Sequence, residues 1–286
     1  MSVNEVMVRK ISALPLFLLA ATLAWPEQTS DPHPWLVKQA LAAELRNAAN
    51  AQRPMRYRLH KVSPRLSTTK EIAETKDGAV ALLVAMNDHP LSEADEQKEQ
   101  ARLDALLADP GRQRHRKQSQ DSDTARALKV LRVLPDAFVY QYEGSGTGSS
   151  SHIEKYGFRP NPGFDPPDLE TSVLAAMAGE IWIDPAAERV VRLEGHLQRD
   201  VDFGWGVLGR LYKGGWIVIE QANVGEHQWR VVRFQMVMNG RVFFKTRSFD
   251  TLEEESDFAP LPAGIGYAQA IQLLRSGPES AAHAGR

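Results

Sequence analysis

Apolar side chains recur three and four apart at Leu36, Val37, Ala40, Leu41, Leu45 and Ala48, with Asp31-Pro32 ahead of them as a capping residue and an early proline. That spacing lays one apolar stripe along a helix and predicts an amphipathic helix behind the Asp31 cap. After Pro54 the period drops to two: Met55, Tyr57 and Leu59 alternate with Arg56, Arg58 and His60, and Asp77-Gly78 separates extended runs over 68–75 and 79–86. Three strands are predicted there. Ser92-Glu93-Ala94-Asp95 is a capping-box-like start for a charged helix to about residue 107, and Asp109-Pro110-Gly111 reads as its stop. The basic residues Arg112, Arg114, His115, Arg116 and Lys117 then fall in a solvated loop between helices, flanked by Asp109, Asp121 and Asp123. A further helix over 124–134 ends at Pro135, strand character resumes over 138–142, and residues 144–151 read as a flexible Gly/Ser/Thr loop.

From Ile153 onward the pattern is mostly of period two. Strands are predicted over 153–158, 180–184, 188–198, 215–222, 228–238 and 241–249, with a short helical piece over 168–178 after a proline-rich connection. Asp184-Pro185, residues 223–226 and Asn239-Gly240 read as hairpin turns, and consecutive hairpins imply an antiparallel sheet. A two-residue turn at Asn239-Gly240 would put Phe234 opposite Lys245 and mix the faces. A three-residue loop with Gly240 as a left-handed bulge residue gathers Val232, Phe234, Met236, Val242 and Phe244 on one face, so the bulged hairpin is expected. Val191, Leu193 and Leu197 likewise alternate with Arg192, Glu194 and His196. The expected fold is therefore α+β: a strongly curved antiparallel β-sheet, a half-barrel, with helices packed on one side.

Composition narrows the function. The 286 residues carry 34 basic and 36 acidic side chains, a net charge of -2, which gives no global drive toward nucleic acid. There is no cysteine, which excludes disulfides, thiolate metal sites, a cysteine nucleophile and a lipidated cysteine. Arg9 and Lys10, the apolar run over 11–23 and Thr22-Leu23-Ala24 read as a cleavable secretory signal over residues 1–24. The run is shorter than the about 20 residues of a transmembrane span. Export to the periplasm without stable membrane insertion is expected, with a single domain over 25–275, a charged helical insertion at about 92–134 and a flexible tail over 276–286.

Sites for chemistry are sparse. Gly204-Trp205-Gly206-Val207-Leu208-Gly209 has dinucleotide-loop spacing, but Gly214-Gly215 follows before a helix can form, so a tight connection between strands is expected. His152-Ile153-Glu154 echoes a zinc deaminase start but lacks the cysteines that motif needs. Glu194 and His196 share a strand face, where a carboxylate can orient an imidazole, but a solvated polar sheet face is the favoured reading. No nucleophile elbow is present. No catalytic residue, metal or cofactor is expected. Aromatic and sulfur-bearing side chains concentrate in the β half, among them Trp182, Trp205, Trp216, Trp229, Phe234, Met236, Met238, Phe243 and Phe244. Core packing accounts for most of these, and an open apolar concavity is the alternative for the remainder.

Residues 158–258 resemble an uncharacterised group of secreted bacterial proteins associated with acidobacteria. The resemblance rests on Phe158-Arg159-Pro160-Asn161-Pro162, Gly179-Glu180-Ile181-Trp182-Ile183-Asp184, Arg192-Leu193-Glu194-Gly195 and Asp202-Phe203-Gly204-Trp205-Gly206. The helix-then-sheet layout is also similar to the lipoprotein-localisation superfamily of LolA, LolB and the RseB sensor domain. That resemblance implies an incomplete antiparallel barrel covered by helices, whose apolar interior accepts the acyl chains of lipids or lipoproteins. The implied ligand-binding residues are Val191, Leu193, Phe234, Met236, Val242 and Phe244, together with Trp182 and Trp216. The competing expectation is an envelope interaction or sensor module with a self-packed barrel, meeting a partner protein through residues 93–117.

Overall fold

A computed structural model describes residues 34–49, 53–147, 152–203 and 209–277. The chain opens with α1 (Pro34–Ala49), which buries Leu36, Val37, Ala40 and Leu41, most of the predicted stripe. Asp31, its expected cap, lies outside the described residues, as do residues 1–24 and the tail beyond Gly277. The three predicted strands follow as β1 (Met55–Ser63), β2 (Leu66–Ala73) and β3 (Val80–Met86), with a two-residue β4 (His89–Pro90). α2 (Glu93–Ala108) starts where predicted, the Ser92 hydroxyl accepting from the Asp95 amide at 3.2 Å.

The region after α2 differs from expectation. Asp109-Pro110-Gly111 begins a helix rather than a loop: Asp109 accepts from the Arg112 amide at 3.1 Å, and Pro110 occupies the first helical turn, where its missing N–H costs nothing. α3 (Pro110–Ala137) runs unbroken for 28 residues, so the basic cluster Arg112–Lys117 is helical and Pro135 lies inside the helix rather than ending it. The expected loop fails because aspartate followed by proline serves a helix start as well as a chain reversal.

β5 (Phe138–Thr147) then extends through the expected flexible loop as far as Thr147 and pairs with β6 (His152–Pro160). α4 (Leu169–Ser172) and a 3-10 turn lead into β7 (Met177–Asp184), β8 (Arg189–Leu197), β9 (Val201–Phe203), β10 (Gly209–Leu211), β11 (Trp216–Asn223), β12 (Trp229–Val242) and β13 (Lys245–Pro260). α5 (Tyr267–Arg275), which periodicity did not single out, closes the described chain. Among the described residues there is one 13-stranded antiparallel sheet in the order β4-β3-β2-β1-β13-β12-β11-β8-β7-β6-β5, with β10 beside β12 and β9 beside β10.

The last hairpin corrects the expected register. Val242 faces Lys245 and Met236 faces Thr251, so the turn is Phe243-Phe244 and Asn239-Gly240 lies within β12. Gly240 serves a different purpose: β10 approaches so closely that a Cβ there would stand 2.6 Å from the Arg210 carbonyl oxygen. The glycine admits a neighbouring strand instead of turning its own.

Helices fasten the two ends of the sheet. At one end the β3 edge is covered by side chains: Glu99 accepts from the Leu83 amide at 2.8 Å, Arg102 donates to the Ala81 carbonyl at 2.5 Å, and Gln120 both accepts from and donates to the Ala79 backbone. These contacts satisfy an edge that would otherwise invite pairing with another strand. At the other end α3 runs directly into β5. From Gln113, which donates to the Asp77 carbonyl at 2.7 Å, to its end, α3 measures about 36 Å at 1.5 Å per residue. Laid flat, the strands from β3 to β5 would span about 43 Å. The helix is a chord shorter than its arc, so the sheet bows toward α3, and bulges in five of its ladders add twist.

Two apolar cores result. The first joins α1, the end of α3 and β5–β8 through Leu36, Val37, Leu41, Tyr156, Phe158, Ile181 and Leu197. The second joins α2 and α5 to β2 and β3 through Leu103, Leu106, Ile271, Leu274, Ala73 and Val80. Strand alternation places Ala73 and Val80 on the face opposite the first core.

Candidate functional site

The concave face can be followed residue by residue across the sheet. Directly paired positions carry it from Tyr156 to Ile181, Leu193, Ile219, Phe234, Glu253 and Lys61. At the β6–β8 end it is dry: Tyr156 and Ile181 are buried beneath the helices, and Leu193 and Ile217 pack against that core. Ile219, Phe234 and Met236 continue the apolar strip while remaining only half-buried.

Beyond Phe234 the same face becomes charged. Lys61 donates to Glu253 at 2.6 Å. Glu74 accepts from the Met55 amide at 2.9 Å and from Arg230 at 3.1 Å. Tyr57 sits among these groups and stacks on Phe258 with ring centroids 5.4 Å apart. Burial, followed by repulsion from Glu255 and Glu74, raises the Tyr57 hydroxyl above its ordinary range. Burial also pushes Glu255 up to about 7, with Glu74 and Glu253 adding to the rise and Arg230 opposing it. The concave face is therefore amphipathic, with an apolar strip ending at a cluster of titratable groups.

The eight sequence-derived residues divide. Leu193, Phe234 and Met236 share the concave face, and Val242 lies on the same side of β12 near the end of the strand. Phe244 is in the turn and is 95% exposed, so the expected grouping with Phe234 fails because the hairpin turns four residues later than Asn239-Gly240. Trp182 and Trp216 point to the opposite face. The Trp182 indole donates to Glu180 at 2.9 Å, with Lys155 4.1 Å and Arg192 5.2 Å from its ring centroid. Val191 is the extra residue of a bulge and lines a cleft with Trp182 and Trp229. Trp216 lines a shallow depression with Arg192, Glu194, His196, Glu220 and Arg233.

Glu194 and His196 are bonded at 3.0 Å in that depression, as their spacing allowed. Glu194 also accepts from Arg192 at 2.6 Å, and Arg192 pairs with Glu220. The bond from Arg192, then that from His196, holds the Glu194 carboxyl below the usual carboxylate range. A carboxylate held so firmly ionised is a poor proton acceptor, and the cluster reads as a cross-strand charge ladder.

Periodicity missed the charged end of the site, because Glu74, Arg230 and Glu255 come together only when β2, β1, β13 and β12 pair in that order. A run of acids at Glu253-Glu254-Glu255 was the available signal. The motif residues have architectural roles. Gly179 faces Gly195, and a Cβ on Gly179 would overlap the Glu194 carbonyl oxygen. Asn161 donates to the Asp136 carbonyl at 2.8 Å and so ties β6 to the end of α3.

No protein-family model and no curated protein matches the chain. Among solved structures, a domain assigned to outer membrane lipoprotein sorting, from Vibrio parahaemolyticus, is similar at 10% sequence identity with a TM-score of 0.32, over 84% of this chain and 99% of that one.

Proposed function

We propose that this chain is a periplasmic, non-enzymatic binder of lipid or lipoprotein acyl chains, held against the concave face of the half-barrel. The observation that carries the reading is the strip of Ile219, Phe234 and Met236, half-buried and continuous with the dry core under α1 and α3. An acyl chain laid along it would remove apolar surface from water at about 25 cal/mol per Å². Leu193 borders the strip, Val242 marks its outer end, and Tyr57, Lys61 and Glu253 stand where a polar head group would emerge. The secretory signal read over residues 1–24 supports a periplasmic setting. Trp182, Val191, Trp216 and Phe244 would not touch the same ligand.

The test is detergent-free purification from a bacterial periplasm, with native and denaturing mass spectra compared alongside an organic extract. A co-purifying acylated species near stoichiometry, lost in Phe234→Asp or Met236→Asp while the fold survives, is expected. A clean apo mass that stays unchanged after incubation with lipids and acylated peptides would overturn the proposal in favour of a protein-interaction module.

A further inference from the structure

The β12–β13 hairpin outruns the sheet that carries it. β11 accompanies β12 only as far as Val237, and β1 accompanies β13 only from Leu252, so the residues between form a ribbon braced on one side by the short β10. Its turn is Phe243-Phe244, with Phe243 at φ 52. A bulky residue is an outlier in that conformation, which glycine or asparagine adopts freely, and such strain persists chiefly where the side chain is used.

Val242, Phe243, Phe244 and Phe249 are 47%, 55%, 95% and 44% exposed, making four of the eight exposed large hydrophobics in the described chain neighbours on one hairpin. At the tip itself the charge has one sign, and the first acid along β13 is Asp250, opposite Val237 at the base of the ribbon. Residues 234–249 contain Arg241, Lys245 and Arg247 and no aspartate or glutamate, in a chain whose net charge is -2. The register puts Lys245 beside Val242, with Arg247 and Phe249 on that same side of the ribbon. The acids beyond β10 are engaged, since Arg210 binds Asp202 of β9 at 2.5 Å and the preceding Asp200 at 3.7 Å.

Aromatic rings ringed by cations suit a bilayer interface, where rings settle at head-group level and lysine and arginine meet anionic phosphates. We infer that this tip docks the protein onto an anionic phospholipid surface, inserting Phe243 and Phe244 while Lys245 and Arg247 hold the head groups. Docking of this kind does not depend on whether the concave face holds a ligand.

The absence of cysteine makes the test direct. Phe244→Cys at the tip and Ala187→Cys in the turn at the opposite end of the sheet are each labelled with an environment-sensitive fluorophore. Both are mixed with phosphatidylcholine vesicles with and without phosphatidylglycerol. A blue shift at position 244 alone, on anionic vesicles alone and reversed by salt, is the expected result. In co-sedimentation of the unlabelled chain, Lys245→Gln and Arg247→Gln should each weaken binding about fivefold, and the double variant Phe243→Ser, Phe244→Ser should bind anionic vesicles no better than wild type binds neutral ones. These sites are solvent-exposed, so an unchanged melting temperature is expected of the variants. No shift at 244, equal shifts at 244 and 187, equal binding to neutral vesicles, or self-association removed by the same variants would overturn the inference. The last outcome would put a second copy of the chain on the tip.

Discussion

The β6–β8 segment under α1 and the β12–β13 ribbon are built alike, as antiparallel ladders with apolar residues at alternate positions, yet one is dry and the other wet. Tyr156 and Ile181 are sealed beneath helices, whereas Phe244 stands almost wholly in solvent. Alternation decides which side chains share a face. Whether that face is covered depends on helices that arrive from elsewhere in the chain: α1 from upstream, and the far end of a helix that begins near the β2–β3 turn. Between these extremes Ile219, Phe234 and Met236 are half-covered, which is the condition a ligand can exploit.

The contrast can be broken most severely in the dry region. Tyr156→Ala should cost about 3–5 kcal/mol, the range for emptying a large aromatic site, read from the urea unfolding midpoint. Almost as much should be lost in Glu44→Ala. Glu44 anchors α1 by accepting from the Val190 amide at 3.1 Å and pairing with Arg189 at 3.0 Å, and its removal leaves a buried guanidinium alone, at about 3 kcal/mol. Burial raises Glu44 and lowers Arg189, each opposed by its partner's charge.

Glu255 sharpens the comparison at the wet, charged end of the concave face. Its carboxyl is raised to about 7, whereas an unfolded glutamate titrates near about 4.3. Between those values the folded chain retains a proton that the unfolded chain releases. Its contribution is therefore complete below about 4.3 and is lost as pH rises through about 7, up to about 4 kcal/mol in all. Unfolding wild type and Glu255→Gln at about pH 5 and about pH 8 should show the wild type losing more stability than the variant as pH rises. Equal losses would remove Glu255 as the cause. The smallest effect belongs to the ribbon: Phe244→Ser should change stability by no more than about 0.5 kcal/mol, measured in the same way.

Much of the fold was legible along the chain. Period-two runs marked β1–β3, β7, β8 and β11, and the α1 stripe and the Ser92 cap marked two helices at nearly their observed limits. The turn chemistry was less readable, because the residue types that turn a chain have other uses. Asp109-Pro110 starts a helix, Gly240 makes room for β10, and the actual hairpin turn is made by two phenylalanines that no turn preference would select. The site was half visible for the same reason: Leu193, Phe234 and Met236 could be grouped by alternation, but the tryptophans could not be assigned a face without the register.

Local pattern was enough to establish an antiparallel α+β protein with a greasy and a polar sheet face, since strand period and helix period are properties of neighbouring residues. Coverage was decided in three dimensions. The bowing of the sheet under α3, the gathering of Glu74, Arg230, Glu253 and Glu255 around Tyr57, and the projection of Phe243-Phe244 beyond β11 all depend on contacts between segments far apart in the chain. Burial and charge repulsion act through space, and only the folded chain brings those groups close enough to feel them.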